Sequence, residues 1–306
     1  MFTADGKMVA SGRWINDQLQ SAATSVSAQV APAASSAVAA SASASASSLS
    51  SLPVPNRKAL LIGNSKYAAP AKSLRCCGTD AEDMRDALQK LGFQCTLLLN
   101  ATKRRFTDAL TAFIASLEKD DIIFIYFSGH GEERAGETYL IPTDYANGNL
   151  RDDAVHLGHI TSDLHHKDCH LRNIIVMDCC RANEDDATWK CGAESVARSS
   201  MESAERGRNG FDRLPSTGHF FIVYSCDPGT VAFESSGERN GWFTGCLLLH
   251  LLTPGLHIEQ IFKRANAALE KKSKLRQGGW QKSSLKVDVI LLPKSTHKGT
   301  EMEWDS

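Results

Sequence analysis

Two apolar runs, each ending in reactive side chains, constrain the fold of this chain more than any other feature. Ile174-Ile175-Val176-Met177 leads into Asp178-Cys179-Cys180-Arg181, and Ile122-Ile123-Phe124-Ile125-Tyr126-Phe127 leads into Ser128-Gly129-His130-Gly131. A short unbroken apolar run rich in β-branched and aromatic residues reads as a strand covered on both faces. Such strands belong to parallel sheets between helix layers, and those sheets build their sites at the carboxyl edge. The two runs deliver a thiol pair and a histidine to that edge, so a cysteine–histidine dyad is the leading reading.

The rest of the chain suits the same sheet. Ala59–Asn64 and Phe93–Leu99 read as strands. Between them, Thr79 with Glu82 carries a capping-box signature, followed by Ala81, Met84, Leu88 and Leu91 at helical spacing. Thr102 opens a second helix with Phe106, Leu110, Phe113 and Leu117 on one face, and Tyr139–Pro142 is an extended piece before an acidic, histidine-rich segment that runs to His170. Asn183–Pro215 reads as a polar loop, His219–Cys226 as a strand, and 242–252 and 256–269 as helices; Lys286–Leu292 is expected to close the sheet. Strand–helix alternation predicts a mostly parallel α/β fold with helices on both faces. Ahead of it, residues 21–52 hold twelve Ala and twelve Ser without a charge, which offers no apolar face to bury. The expected organisation is an unstructured Ala/Ser-rich prodomain or linker over 1–56, a folded domain over 57–293, and an unstructured tail over 294–306.

Composition excludes some partners. Lys and Arg number 34 against 35 Asp and Glu, so bulk charge predicts neither a nucleic-acid nor a membrane partner. The first residues show no basic start followed by an apolar core, so no secretory signal is expected. The nine cysteines are odd in number and irregularly spaced, which suits a reducing cytoplasm better than a disulfide framework. The oligomeric state has no signature in the sequence.

A cysteine attacks as thiolate, and a free thiol ionises near about 8.5. A neighbouring histidine lowers that value and can protonate the leaving amine. The side-chain-free Gly131 could offer its backbone N–H to an oxyanion, alongside that of Cys180. The competing reading is that the thiols pack in the core and His130 caps a turn. The residues also resemble a known family, the caspase-like cysteine peptidases in their metacaspase and paracaspase branch. The resemblance spans about 57–292 and rests on six stretches in the family's order: 59–64, Cys77-Gly78-Thr79-Asp80-Ala81, Ser128-Gly129-His130-Gly131, Ile141-Pro142-Thr143-Asp144-Tyr145, Asp178-Cys179-Cys180-Arg181 and Ala232-Phe233-Glu234. The separation of 50 residues between His130 and Cys180 is that of caspases.

The resemblance implies a three-layer caspase-like sandwich around a mostly parallel six-stranded sheet, with a large-subunit-like part over 57–186, a linker loop over 187–215 and a small-subunit-like part over 216–293. It selects Cys180 over Cys179 as nucleophile and His130 as acid–base. It places Asp80, Asp178 and Glu234, with Ser128 beside them, in a pocket for an arginine or, less well, a lysine side chain of a protein or peptide substrate. Carboxylates are the partners a guanidinium needs. Where metacaspases usually have His-Ser-Gly after the nucleophile, this chain has Arg181-Ala182-Asn183, which is nearer the paracaspase pattern. Glu137, Asp152, Asp153 and Asp186 offer hard oxygen ligands for Ca²⁺ near positions where calcium-requiring metacaspases carry acids. His156, His159, His165, His166 and His170 fit no common zinc spacing. The linker carries Arg198, Arg206, Arg208 and Arg213 among few apolar residues, which predicts self-cleavage there. The rival expectation is a non-catalytic caspase-like scaffold acting through interaction.

Overall fold

A computed structural model describes residues 13–15, 18–19, 55–68, 73–146, 148–168, 170–181, 218–235 and 237–294. The short pieces Arg13–Ile15 (β1) and Gln18–Leu19 (β2) lie at one edge of the sheet. The strands that follow are Arg57–Gly63 (β3), Gln94–Leu99 (β4), Ile122–Ser128 (β5), Gly131–Arg134 (β6), Glu137–Leu140 (β7), Val155–His156 (β8), Arg172–Asp178 (β9), His219–Tyr224 (β10) and Trp280–Ser283 (β11). The helices are Cys77–Lys90 (α1), Lys103–Ala115 (α2), Leu150–Asp153 (α3), Leu157–Lys167 (α4), Trp242–Leu251 (α5) and Ile258–Ser273 (α6).

Six strands in the order β11-β10-β9-β5-β3-β4 form the centre of the main sheet, parallel except for β11. The unbroken apolar runs divide by strict alternation. Along β9, Ile174 and Val176 join a core with α1, α5 and α6 on one face, while Ile175 and Met177 join a core with α2 and α4 on the other. Two helix layers thus account for the unbroken apolar runs at the middle of these strands. A second, three-stranded sheet, β6-β7-β8, rises from the end of β5; β6 and β7 turn through Ala135 and Gly136, both at positive φ, as a two-residue hairpin requires.

The sheet departs from the sequence reading in four places. Its last strand is Trp280–Ser283, not Lys286–Leu292. The later segment is extended and buries Val289 and Leu291 against α6, but joins no strand ladder and makes one isolated bridge, Ile290 to His257. Helix α1 starts at Cys77 rather than after a Thr79 cap, and the Thr79 hydroxyl instead donates to the carbonyls of Cys76 and Arg239. The histidine-rich segment contains α4, which turns Leu157, Ile160 and Leu164 inward. Finally, part of the stretch expected to be unstructured pairs with the sheet: β1 runs parallel to β4 and β2 antiparallel to β1. An otherwise open edge at β4 gives those residues backbone partners. The Ala/Ser tract, the 187–215 linker and the tail beyond Lys294 lie outside the described residues.

Candidate active site

Strands β5 and β9 are neighbours, and their register sets the site. Ile122 faces Arg172, and the constant offset carries through to Ser128 facing Asp178. His130 and Cys180 therefore leave adjacent strands at equivalent points. The Gly129 N–H donates to the Asp178 carbonyl at 3.2 Å and holds the two ends together just before the reactive residues. A cleft opens here, lined by Ser128, His130, Asp178, Cys179, Cys180, Asp80, Cys77 and Gly241 and by the 232–234 segment.

His130 is buried and fixed on two sides. Its backbone N–H donates to the Tyr67 hydroxyl at 2.8 Å, and the two rings lie 4.6 Å apart at a tilt of 56°. Its carbonyl accepts from the Ile141 N–H at the hairpin's return. Gly131 follows at the closest approach of the two chain segments. A Cβ there would stand 2.6 Å from Cys179 Sγ and 2.7 Å from the Cys180 carbonyl oxygen, so the hairpin can start this near the cysteines only with glycine. The neighbouring thiols differ sharply. Cys179 is buried in the α2/α4-side core, where burial pushes its pKa well above the ordinary thiol value, whereas Cys180 is half-buried on the cleft. Period-two alternation puts one thiol in the core and the next at the surface.

The acids line the same cleft. Asp80, in the first turn of α1, accepts from the Gly241 N–H at 3.0 Å and from the Ser128 hydroxyl at 3.2 Å. Asp178 accepts from the Thr244 N–H at 3.2 Å and the Thr244 hydroxyl at 2.6 Å, which caps α5 from another strand; Tyr126 then supplies the proton of its 2.5 Å contact with Thr244. Glu234 accepts from the Arg75 and Cys76 N–H groups at the start of α1, at 3.0–3.1 Å. Asp80 is 2 % exposed, and burial, then the proximity of Asp178, pushes its pKa up to about 8. Burial likewise raises Asp178. Among the described residues no Lys or Arg pairs with either. The loop carrying Glu234 is tied to α1 again by Arg239, which grips Asp83 through two contacts of 2.7 and 2.8 Å.

Three features had no signal in the sequence: Tyr67 under His130, the Thr244 contact to Asp178, and an ion pair beside the thiols. The Arg181 guanidinium sits 2.6 Å from Glu133 of β6, over the rings of Tyr224 and Trp280 at 4.1 and 5.4 Å. Three of the four proposed calcium ligands lie among the described residues. Glu137 accepts from the Tyr139 hydroxyl and lies 3.9 Å from His156, Asp152 accepts from Asn149, and Asp186 lies outside the described residues. Among the described residues no three His, Cys, Asp or Glu side chains are disposed to hold a metal, and no helix is long and apolar enough to cross a membrane.

Residues 56–290 match the caspase domain, and the chain belongs to that family of cysteine peptidases. It is 28% identical over 200 residues to the human mucosa-associated lymphoid tissue lymphoma translocation protein 1; the match covers 64% of this chain and 22% of that protein. It is 29% identical over 147 residues to metacaspase III c of Phaeodactylum tricornutum, across 41% of this chain and 42% of the other. Among solved structures, caspase-1 from Spodoptera frugiperda superposes with a TM-score of 0.58 at 16% identity, over 79% of this chain and 92% of that one. The α/β sandwich expected from the resemblance is the fold observed.

Proposed function

We propose that the chain is a cysteine endopeptidase that cleaves after Arg and, less well, Lys. The observation that carries this reading is one cleft lined by Cys180 and His130 together with the buried acids Asp80 and Asp178. In the mechanism it supports, His130 takes the Cys180 proton and the thiolate adds to the scissile carbonyl. The N–H groups of Gly131 and Cys180 stabilise the oxyanion. The C–N bond then breaks as His130 returns the proton to the departing amine, and water hydrolyses the thioester to release the acid and the free thiol. Burial of Cys179 in the core leaves Cys180 as the thiol presented to substrate. Two metacaspases and a human protein among the relatives match only parts of their length, so this activity rests on the site rather than on them. The linker starts a few residues after Cys180, and the same activity would cut it after Arg198, Arg206 or Arg208 in preference to Arg213, which precedes Leu214-Pro215.

Turnover of an arginyl-amide reporter tests the reading. The wild type is expected to hydrolyse it, Cys180→Ala to be inactive, and Cys179→Ala to keep most activity. A folded Cys179→Ala protein that is dead beside an active Cys180→Ala would reassign the nucleophile. Intact mass of the active wild type, compared with Cys180→Ala, reports the linker cut; one uncut species would remove self-processing.

A further inference from the structure

Gly241 is a glycine that its backbone does not require. Its φ of −55° and ψ of 154° are open to any residue, and it occupies the cap position ahead of α5, where Ser, Thr, Asp or Asn would serve the helix better. The capping that its side chain would give is performed instead by Asp178, which accepts the Thr244 N–H. What the missing side chain leaves is space. A Cβ on Gly241 would stand 3.2 Å from Asp80 Oδ2 and 3.3 Å from Asp178 Oδ2, with the Phe233 carbonyl oxygen 3.9 Å away. Both carboxylate oxygens thus border one small volume on the cleft wall, and a single methyl group would crowd it.

We propose that Gly241 is a specificity-determining residue: its bare backbone keeps open the gap between Asp80 and Asp178 that admits the flat, wide guanidinium of a substrate arginine. The inference rests on the arginine-accepting pocket proposed above and adds a reason for the preference of Arg over Lys. A guanidinium is a planar fork that needs width to reach two carboxylates, while an ammonium is a compact point charge on a thin stem. Filling the gap therefore handicaps arginine more than lysine.

The test is the pair of specificity constants for arginyl and lysyl reporters in wild type, Gly241→Ala and Gly241→Ser. One added carbon in a filled pocket is worth roughly 10- to 200-fold in kcat/KM. The arginyl constant is expected to fall within that range, chiefly through KM, and the lysyl constant to fall less, so the Arg-to-Lys ratio drops in both variants. A merely structural role would lower both constants together and leave the ratio unchanged, and that result overturns the proposal, as does an arginyl constant that does not move. If both variants fail to fold, the glycine is structural and the proposal fails. A wild type that cleaves other reporters but neither of these sinks the arginine pocket itself, which the wild-type measurement alone distinguishes from failure at Gly241.

Discussion

Buried acids stand at two places near the cysteines, and the chain treats them differently. On the thiol side, Glu133 is 6 % exposed and is answered by Arg181, itself 3 % exposed, at 2.6 Å. On the pocket side, Asp80 and Asp178 are as deeply buried and are held by amides, hydroxyls and the start of α5, with no cation from the described residues. A buried carboxylate without a counter-ion takes up a proton rather than stay charged, and Asp80 shows that in its raised pKa. The fold can neutralise an acid in this neighbourhood and does so at Glu133. The second pair, left unanswered by the described residues, is what the proposed arginine pocket requires.

The largest effect that would break this comparison comes from the paired side. Glu133→Gln strands the Arg181 charge in the core and is expected to cost about 3–5 kcal/mol of stability, read by denaturant unfolding. A change under about 1 kcal/mol would show that the pair is not a closed one. The pocket side should behave in the opposite sense. Asp178→Asn relieves crowding between acids, so stability holds or rises, while kcat/KM for an arginyl reporter falls on the order of 10²–10³-fold. Loss of stability with unchanged kcat/KM would make Asp178 a structural cap alone.

The third effect is a pH dependence. Asp80 in the folded chain ionises near 8, above the ordinary carboxylate range, so the folded state holds a proton that the unfolded state has lost from about pH 4 upward. Stability of the free protein should therefore fall as pH rises from 5 through 8. A cationic side chain prefers the ionised acid, so KM for the arginyl reporter should fall over the same rise. A KM flat from pH 6 to 9 would mean that the acid does not meet the substrate. The smallest effect is expected from chelation. We propose calcium as an activator held by Glu137, Asp152, Asp153 and Asp186, so a strong chelator should lower turnover modestly and Asp152→Ala with Asp153→Ala should mimic it; full activity in the chelator would end that proposal.

The sheet was readable because strands covered on both faces are apolar through their middle, and β3, β5, β9 and β10 all carry such a central run. The edge was not. Trp280-Gln281-Lys282-Ser283 is polar because one side of an edge strand faces outward, while Val289 and Leu291 alternate like a strand yet pack against a helix. Helix α4 was hidden by histidines on its outer side. The site residues in the strand-end motifs could be named from residue type and place. The Arg181–Glu133 pair and the space at Gly241 could not, since both depend on how separate segments meet: β6 against the end of β9, and the start of α5 against α1.

The pairing of β5 with β9 has a consequence for anyone scanning genomes for similar chains. Because Ile122 faces Arg172, His130 and Cys180 each fall eight positions (130 − 122 and 180 − 172) beyond residues locked side by side. Their meeting depends on those two counts and not on how much chain lies between the strands. Insertions between the hairpin and β9 would change the tally from histidine to cysteine and leave the pairing intact. One extra residue inside the end of β9 would keep that tally nearly constant and turn the other thiol to the cleft. A search keyed to strand-relative position would keep the first kind of sequence and reject the second, where a fixed spacing would do the reverse.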